Sequence, residues 1–192
     1  MHMDVKLCAL GILLAGGKSS RMGSDKALLS LNHQTLLEQQ TRLLETCADR
    51  VLISRNEPEF IQDIYTDSGP LAGLHAVLTH ALETDENSLS EVSALVAPVD
   101  MPLLTAELLN HLASEGQRLE ASAFYLDQPL PIYIHNAAEA LSVLEAMLSS
   151  GQRIVSTFLE GLGAKSVPTA ADAALANANT PMQWKLISRK ML

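Results

Sequence analysis

Apolar runs and amphipathic stripes alternate along the chain. Leu7 to Ala15 is a continuous apolar run that stops at Gly16 and Gly17, the pattern of a fully buried strand in a parallel sheet. Thr35 to Ala48 places Leu36, Leu37, Gln40, Leu43 and Leu44 on one helical stripe, and the RVLIS segment, Arg50 to Ser54, reads as a second strand. Strand, loop, helix, strand is a βαβ unit. A segment through Phe60 and Ile61 then leads to an expected third strand ending at Asp67. Leu71, Leu74, Leu78 and Leu82 keep helical register, the polar ETDENSLSE stretch reads as a surface loop, and SALVAPVD is a further buried strand ending at Asp100. Thr105 sits where an N-cap would start a helix running through Leu112.

The second half is less regular. ASAFYL and LPIYI read as strands flanking a turn at Asp127 to Pro129, and Ala137 to Leu148 as a helix closed by Gly151. A last amphipathic piece opens with Thr180 as N-cap and Pro181 as first helical residue. With no repeat, low-complexity tract or linker, residues 1–192 are expected to form one α/β domain of three layers, α/β/α, on a mostly parallel sheet.

The charge balance narrows the partners. A formal charge of −9 argues against a nucleic-acid or anionic-membrane surface, so a bound anion must be met by a local cationic cluster. Cys8 and Cys47 lie far apart in apolar settings and read as reduced, buried thiols. His75 and His80, at i and i+5, face different sides of a helix, which argues against zinc. The N-terminal run superficially resembles a signal peptide, yet Asp4 stands beside Lys6 and the run passes straight into a charged loop. No other run approaches the ~20 apolar residues of a membrane span, so a cytoplasmic protein is expected.

That charged loop carries the candidate chemistry. Lys18, Arg21 and Lys26 fall among serines and glycines directly after the first strand. A Walker loop would need glycine at Ile12, and no G-x-G-x-x-G occurs in the chain, so both standard phosphate fingerprints fail. The physics is still that of a phosphate cradle: Gly16 and Gly17 allow close backbone approach, and Arg21 and Lys26 supply charge. In open α/β sheets ligands bind beyond the carboxyl ends of the strands, where this loop, Asp67 and Asp100 all lie. Taken singly, Asp67 also suits a helix cap and Asp100 a brace before Pro102. Taken together with a triphosphate, Asp100 makes sense as a magnesium ligand, since a bare carboxylate would repel the phosphates.

The segments LAGGKSSRMGSDKALL, GPLAGL and PVDMPLL, followed by NANTPMQW, resemble in order and spacing the molybdenum cofactor guanylyltransferases. The resemblance covers almost the whole chain. It implies a Rossmann-like nucleotidyltransferase fold and transfer of GMP from GTP to molybdopterin, with Mg2+ as cofactor and pyrophosphate released. It implies that Leu14, Ala15, Gly16 and Gly17 shape the GTP pocket, that Lys26 holds the phosphates, that Asp67 contributes to nucleotide binding, and that Asp100 binds nucleotide and metal. Arg21, Lys26 and Asp100 form the implied catalytic set, and Asn177 and Asn179 lie toward molybdopterin. One departure is Ser54, where the family usually has asparagine; Asn56 matches a second asparagine, and a base or ribose contact from this strand rests on these two positions.

The rival readings are a cytidylyltransferase for the same cofactor, a sugar-phosphate nucleotidyltransferase, and a non-catalytic nucleotide-binding module that delivers to molybdoenzymes. GPLAG and LAGG favour guanine over cytosine, and the chain lacks the extra length of sugar-activating enzymes. Other cofactor-biosynthesis proteins and molybdoenzyme chaperones are the implied partners.

Overall fold

The computed structural model describes residues 6–16, 25–31, 33–66, 68–84, 92–169 and 171–188. Strand β1 (Cys8–Leu14) lies between β4 (Ala48–Ser54) and β5 (Ala94–Pro98), parallel to both. Beyond β5 come β7 (Gln128–Ile134), β6 (Ala123–Tyr125) and β8 (Lys165–Val167), giving the order β4-β1-β5-β7-β6-β8. Only β7 runs against the others, so the sheet is mostly parallel. A two-residue pair, β2 (Ser30–Leu31) and β3 (Gln34–Thr35), stands apart from it.

Alternation along the strands builds the layers. Leu10, Ile12 and Leu14 of β1, Ala94 and Val96 of β5, and Ile132 and Ile134 of β7 enter one apolar cluster. Their neighbours Leu13, Leu95, Ala97 and Tyr133 enter another on the opposite face. Helices α2 (Pro70–Thr84), α4 (Ala137–Ser149) and α5 (Val155–Gly161) supply the first cluster; α1 (Leu36–Cys47) and α3 (Ala106–Leu119) supply the second. Helix α6 (Pro181–Ser188) follows near the C-terminus. Covering both faces is what makes the central strands continuous apolar runs. Each fully buried leucine or isoleucine contributes about 1.5–3 kcal/mol, against about 1 kcal/mol for a helix cap. The layers are therefore held by the two faces more than by helix termini.

The caps nonetheless fix where helices start. Thr35 and Glu38 form a reciprocal capping box at α1, Thr105 Oγ1 accepts from Leu108 N at 3.3 Å at α3, and Thr180 Oγ1 accepts from Gln183 N at 3.2 Å at α6. Cys8 and Cys47 are both free and buried, and burial pushes the Cys8 thiol up to about 12.

Four local expectations are corrected. Among the described residues no third strand leads toward Asp67: Ile61 makes a single parallel bridge to Ser54, after which Asn56 and Asp63 lock the chain into a loop through bonds of 2.8 and 3.0 Å. Leu82 keeps helical spacing but is half exposed, because Ala81 takes the inward position at the end of α2. Helix α3 continues past Leu112 to Leu119, since Ala113 and Gly116 prolong its buried stripe. The β6–β7 turn lies at Leu126 and Asp127 (φ 63°), so Pro129 belongs to the strand. Helix α5 and strand β8 carried too few residues to show a period.

Candidate active site

The carboxyl ends of the three parallel strands stand side by side. Leu14 is in register with Ser54 of β4 and with Pro98 of β5. Ala15 N donates to Ser54 O at 2.9 Å and Val99 N to Leu14 O at 3.0 Å, so the outgoing chains leave the sheet together. Above them opens a cleft of about 750 Å³. Leu14, Ala15, Gly16, Lys26, Ser54, Asn56, Asp100 and Asn177, all singled out in the sequence, line it. Gly17, Arg21 and Asp67 lie outside the described residues.

Lys26 opens a short 3-10 turn, Lys26–Leu28, whose N-cap is Asp25: its Oδ1 accepts from Ala27 N at 3.0 Å. From this turn Lys26 Nζ donates to Asp100 Oδ2 at 3.1 Å and to Asn179 Oδ1. The Asp100 backbone carbonyl accepts from Ala178 N at 2.8 Å, which seats the NANTP segment beside the end of β5. The segments around Lys26, Asp100 and Asn179 thus meet, although 74 and 153 residues separate the lysine from its two partners. Asn177 contributes a buried Oδ1 with no hydrogen-bond partner among the described residues, an acceptor left over in the cleft.

At the other end of the cleft Ser54 is buried, and its hydroxyl donates to Asp63 Oδ1 at 3.4 Å. Asn56 Nδ2 donates to the second Asp63 oxygen at 3.0 Å. Gly73 on α2 closes in from above: a Cβ there would lie 3.1 Å from the Ser54 Cβ and closer still to its hydroxyl. The turn into α2 passes through Gly69 at φ 67°, the left-handed region that glycine enters without strain. Ser68 just before it is buried, and its hydroxyl accepts from Arg153 Nε at 2.9 Å.

Asp63 and Arg55 are cleft residues that the sequence reading missed. Asp63 lies in the segment read as the approach to a strand. Arg55 is buried between Ser54 and Asn56, where its guanidinium reaches Asp25, Glu57 and the Phe60 ring. Hydrogen bonding to Glu57 leads the effects that raise its already high pKa, so it carries positive charge throughout. The only advance signal was an arginine next to a strand end. Among the described residues no group of three or more His, Cys, Asp or Glu side chains forms a metal cage, and no helix is long and apolar enough to cross a membrane.

A mostly parallel sheet whose strand ends carry a lysine–aspartate pair and a glycine-bordered cleft defines an α/β enzyme of the nucleotidyltransferase class. Two solved structures share this architecture: molybdopterin-guanine dinucleotide biosynthesis protein A from Archaeoglobus fulgidus, at 25% identity and a TM-score of 0.75 over 95% of this chain and 98% of that one, and 2-C-methyl-D-erythritol 4-phosphate cytidylyltransferase from Thermus thermophilus, at 17% identity and 0.68 over 94% and 99%. The second likeness is one of fold alone. The chain belongs to the MobA-like NTP transferase family, whose domain matches residues 11–176. It is 40% identical over 182 residues, 91% of both chains, to a molybdenum cofactor guanylyltransferase from Xanthomonas euvesicatoria pv. vesicatoria. It is 32% identical to one from Yersinia pseudotuberculosis, over 94% of this chain and 95% of that one.

Proposed function

We propose that this chain, as a single nucleotidyltransferase domain, transfers GMP from GTP to molybdopterin and releases pyrophosphate. The observation that carries the reading is the meeting of Lys26 and Asp100 in the strand-end cleft, with Asn179 held to the same lysine. In the reaction an oxygen of the acceptor's terminal phosphate attacks the α-phosphorus of GTP in line. A new P–O bond forms, the bond between the α-phosphorus and the α,β-bridging oxygen breaks, and pyrophosphate leaves with that electron pair.

Little covalent chemistry falls to the protein, which positions the reactants and offsets charge. Lys26 donates to phosphate oxygens, joined by Arg21, while the backbone of Leu14, Ala15, Gly16 and Gly17 receives the nucleotide. Ser54, Asn56 and Asp63 suit the nucleoside end, where a carboxylate is a natural acceptor for guanine N1–H and its amino group. Asp67 is the further residue assigned to the nucleotide. Asn177 and Asn179 suit the acceptor, Asn177 carrying a buried Oδ1 with no hydrogen-bond partner among the described residues.

The donor set fits magnesium. Asp100 presents a part-exposed carboxylate to the cleft, and an ion held by one carboxylate takes its remaining ligands from phosphate oxygens and water. When bound there, magnesium would supply further neutralisation of the triphosphate. The reading brings with it a cytoplasmic enzyme whose product passes to molybdoenzymes or their chaperones.

A panel of the four nucleoside triphosphates, each with and without molybdopterin and magnesium, tests donor, acceptor and catalysis together. Pyrophosphate release only with GTP, molybdopterin and magnesium is the expected result. Release with CTP instead would move the chain to the cytidylyltransferases, and tight GTP binding without release would make it a carrier.

A further inference from the structure

Arg55 is among the most deeply buried charged side chains described, with 3% of its surface exposed. Burying a guanidinium is costly unless its donors are met. Here Nη2 donates to Asp25 Oδ2 and, at 2.6 Å, to Glu57 Oε1, and Nη1 lies 3.5 Å from Asp25 Oδ1, while the buried Nε has no hydrogen-bond partner among the described residues. The Phe60 ring packs 5.9 Å from the guanidinium carbon, and Arg55 N donates to Ile61 O at 2.9 Å. Arg55 is therefore fixed at both its backbone and its head group.

Asp25 has 39% of its side chain open to solvent. Its carboxylate has two duties: Oδ1 caps the turn that begins at Lys26, and the same group accepts from Arg55. A rigid arginine at the end of β4 thus holds a carboxylate that sets the backbone of Lys26. Across the cleft that lysine meets Asp100 and Asn179.

We propose that Arg55 is a positioning residue for the transfer reaction, acting through Asp25 to aim Lys26 at the triphosphate. The role rests on the proposed nucleotide chemistry of the cleft. It depends on the planar fork of arginine, which spans two carboxylates where the compact ammonium of lysine serves one at a time. Charge alone does not supply it.

The experiment measures GTP and CTP affinity, by ligand-observed NMR that reaches millimolar dissociation constants, for the full chain and for Arg55→Lys and Asp25→Ala, each with Lys26 and with Lys26→Ala. Thermal melting accompanies every variant, and Asp25→Ala breaks the same link from its exposed side should Arg55→Lys not fold. With Lys26 present, each variant is expected to weaken binding of the preferred nucleotide roughly tenfold, the scale of coupling between directly linked groups. In the Lys26→Ala background the same changes are expected to alter affinity by less than about twofold. Affinity near that of the unaltered chain in both variants, or an equal loss with and without Lys26, overturns the positioning role. Coupling seen with CTP as the preferred nucleotide supports Arg55 while overturning the guanine reading. Absence of coupling with GTP preferred does the reverse, and failure to bind either nucleotide overturns both.

Discussion

Lys26 Nζ and Asp100 Oδ2 lie 3.1 Å apart across the mouth of the cleft, each with its side chain about one-fifth exposed or less. A part-exposed pair of this kind adds little to folding stability. Removing the lysine should therefore act on chemistry. Lys26→Ala is expected to lower turnover on the order of a hundredfold, the usual cost of losing one preorganised charge at a transferring phosphoryl group. Its melting temperature should stay close to that of the unaltered chain. Steady-state pyrophosphate release at saturating GTP checks the first point and calorimetry the second; near-normal turnover would remove Lys26 from the mechanism.

Gly73 faces Ser54 across a gap with no room for a methyl group. Alanine at this helical position gains about 1 kcal/mol in propensity, but overpacking a tight contact costs about 1–3 kcal/mol. Gly73→Ala is thus expected to be destabilising by up to about 2 kcal/mol and to raise the KM for GTP by shifting the end of β4. Adding Ser54→Ala removes the hydroxyl that the new methyl would meet and should restore part of the stability. Chemical denaturation of the two single variants and the double variant reads this directly.

His75 on α2 is buried, packs edge-on against Tyr65 at 5.1 Å, and has an Nδ1 with no hydrogen-bond partner among the described residues. Burial lowers its pKa below the ordinary value of 6.5, with Glu145 opposing. Between the lowered and the ordinary value the unfolded chain binds more protons, so stability rises with pH there. The contribution is fully present above about pH 6.5 and is lost on acidification through the folded value. Thermal melts from neutral toward pH 5 should show a steeper loss for the unaltered chain than for His75→Leu. Equal slopes would mean that His75 does not titrate with unfolding.

Much of the frame was legible because its causes are local. The run from Leu7 to Ala15 announces a strand covered on both faces, and the structure places β1 at Cys8–Leu14 between two parallel neighbours. Thr105 and Thr180 announce helix starts through bonds that close within three residues. Asp63 and Arg55 were not legible. Their roles come from hydrogen bonds within an irregular loop that has no period, and the expectation of a strand there assumed a pairing that a single bridge replaces.

The amino-acid sequence by itself determined the alternation of strands and helices, the caps, and the placing of the glycine loop and Asp100 at strand ends, since each depends on residues within a few positions of one another. Tertiary structure alone decided that β7 lies between β5 and β6, that Asp63 joins Ser54 and Asn56, and that Lys26 meets an aspartate 74 residues away and an asparagine 153 residues away. Such contacts follow from strand register and from which faces bury against which helices. Those are properties of the whole packed core, and no short segment encodes them.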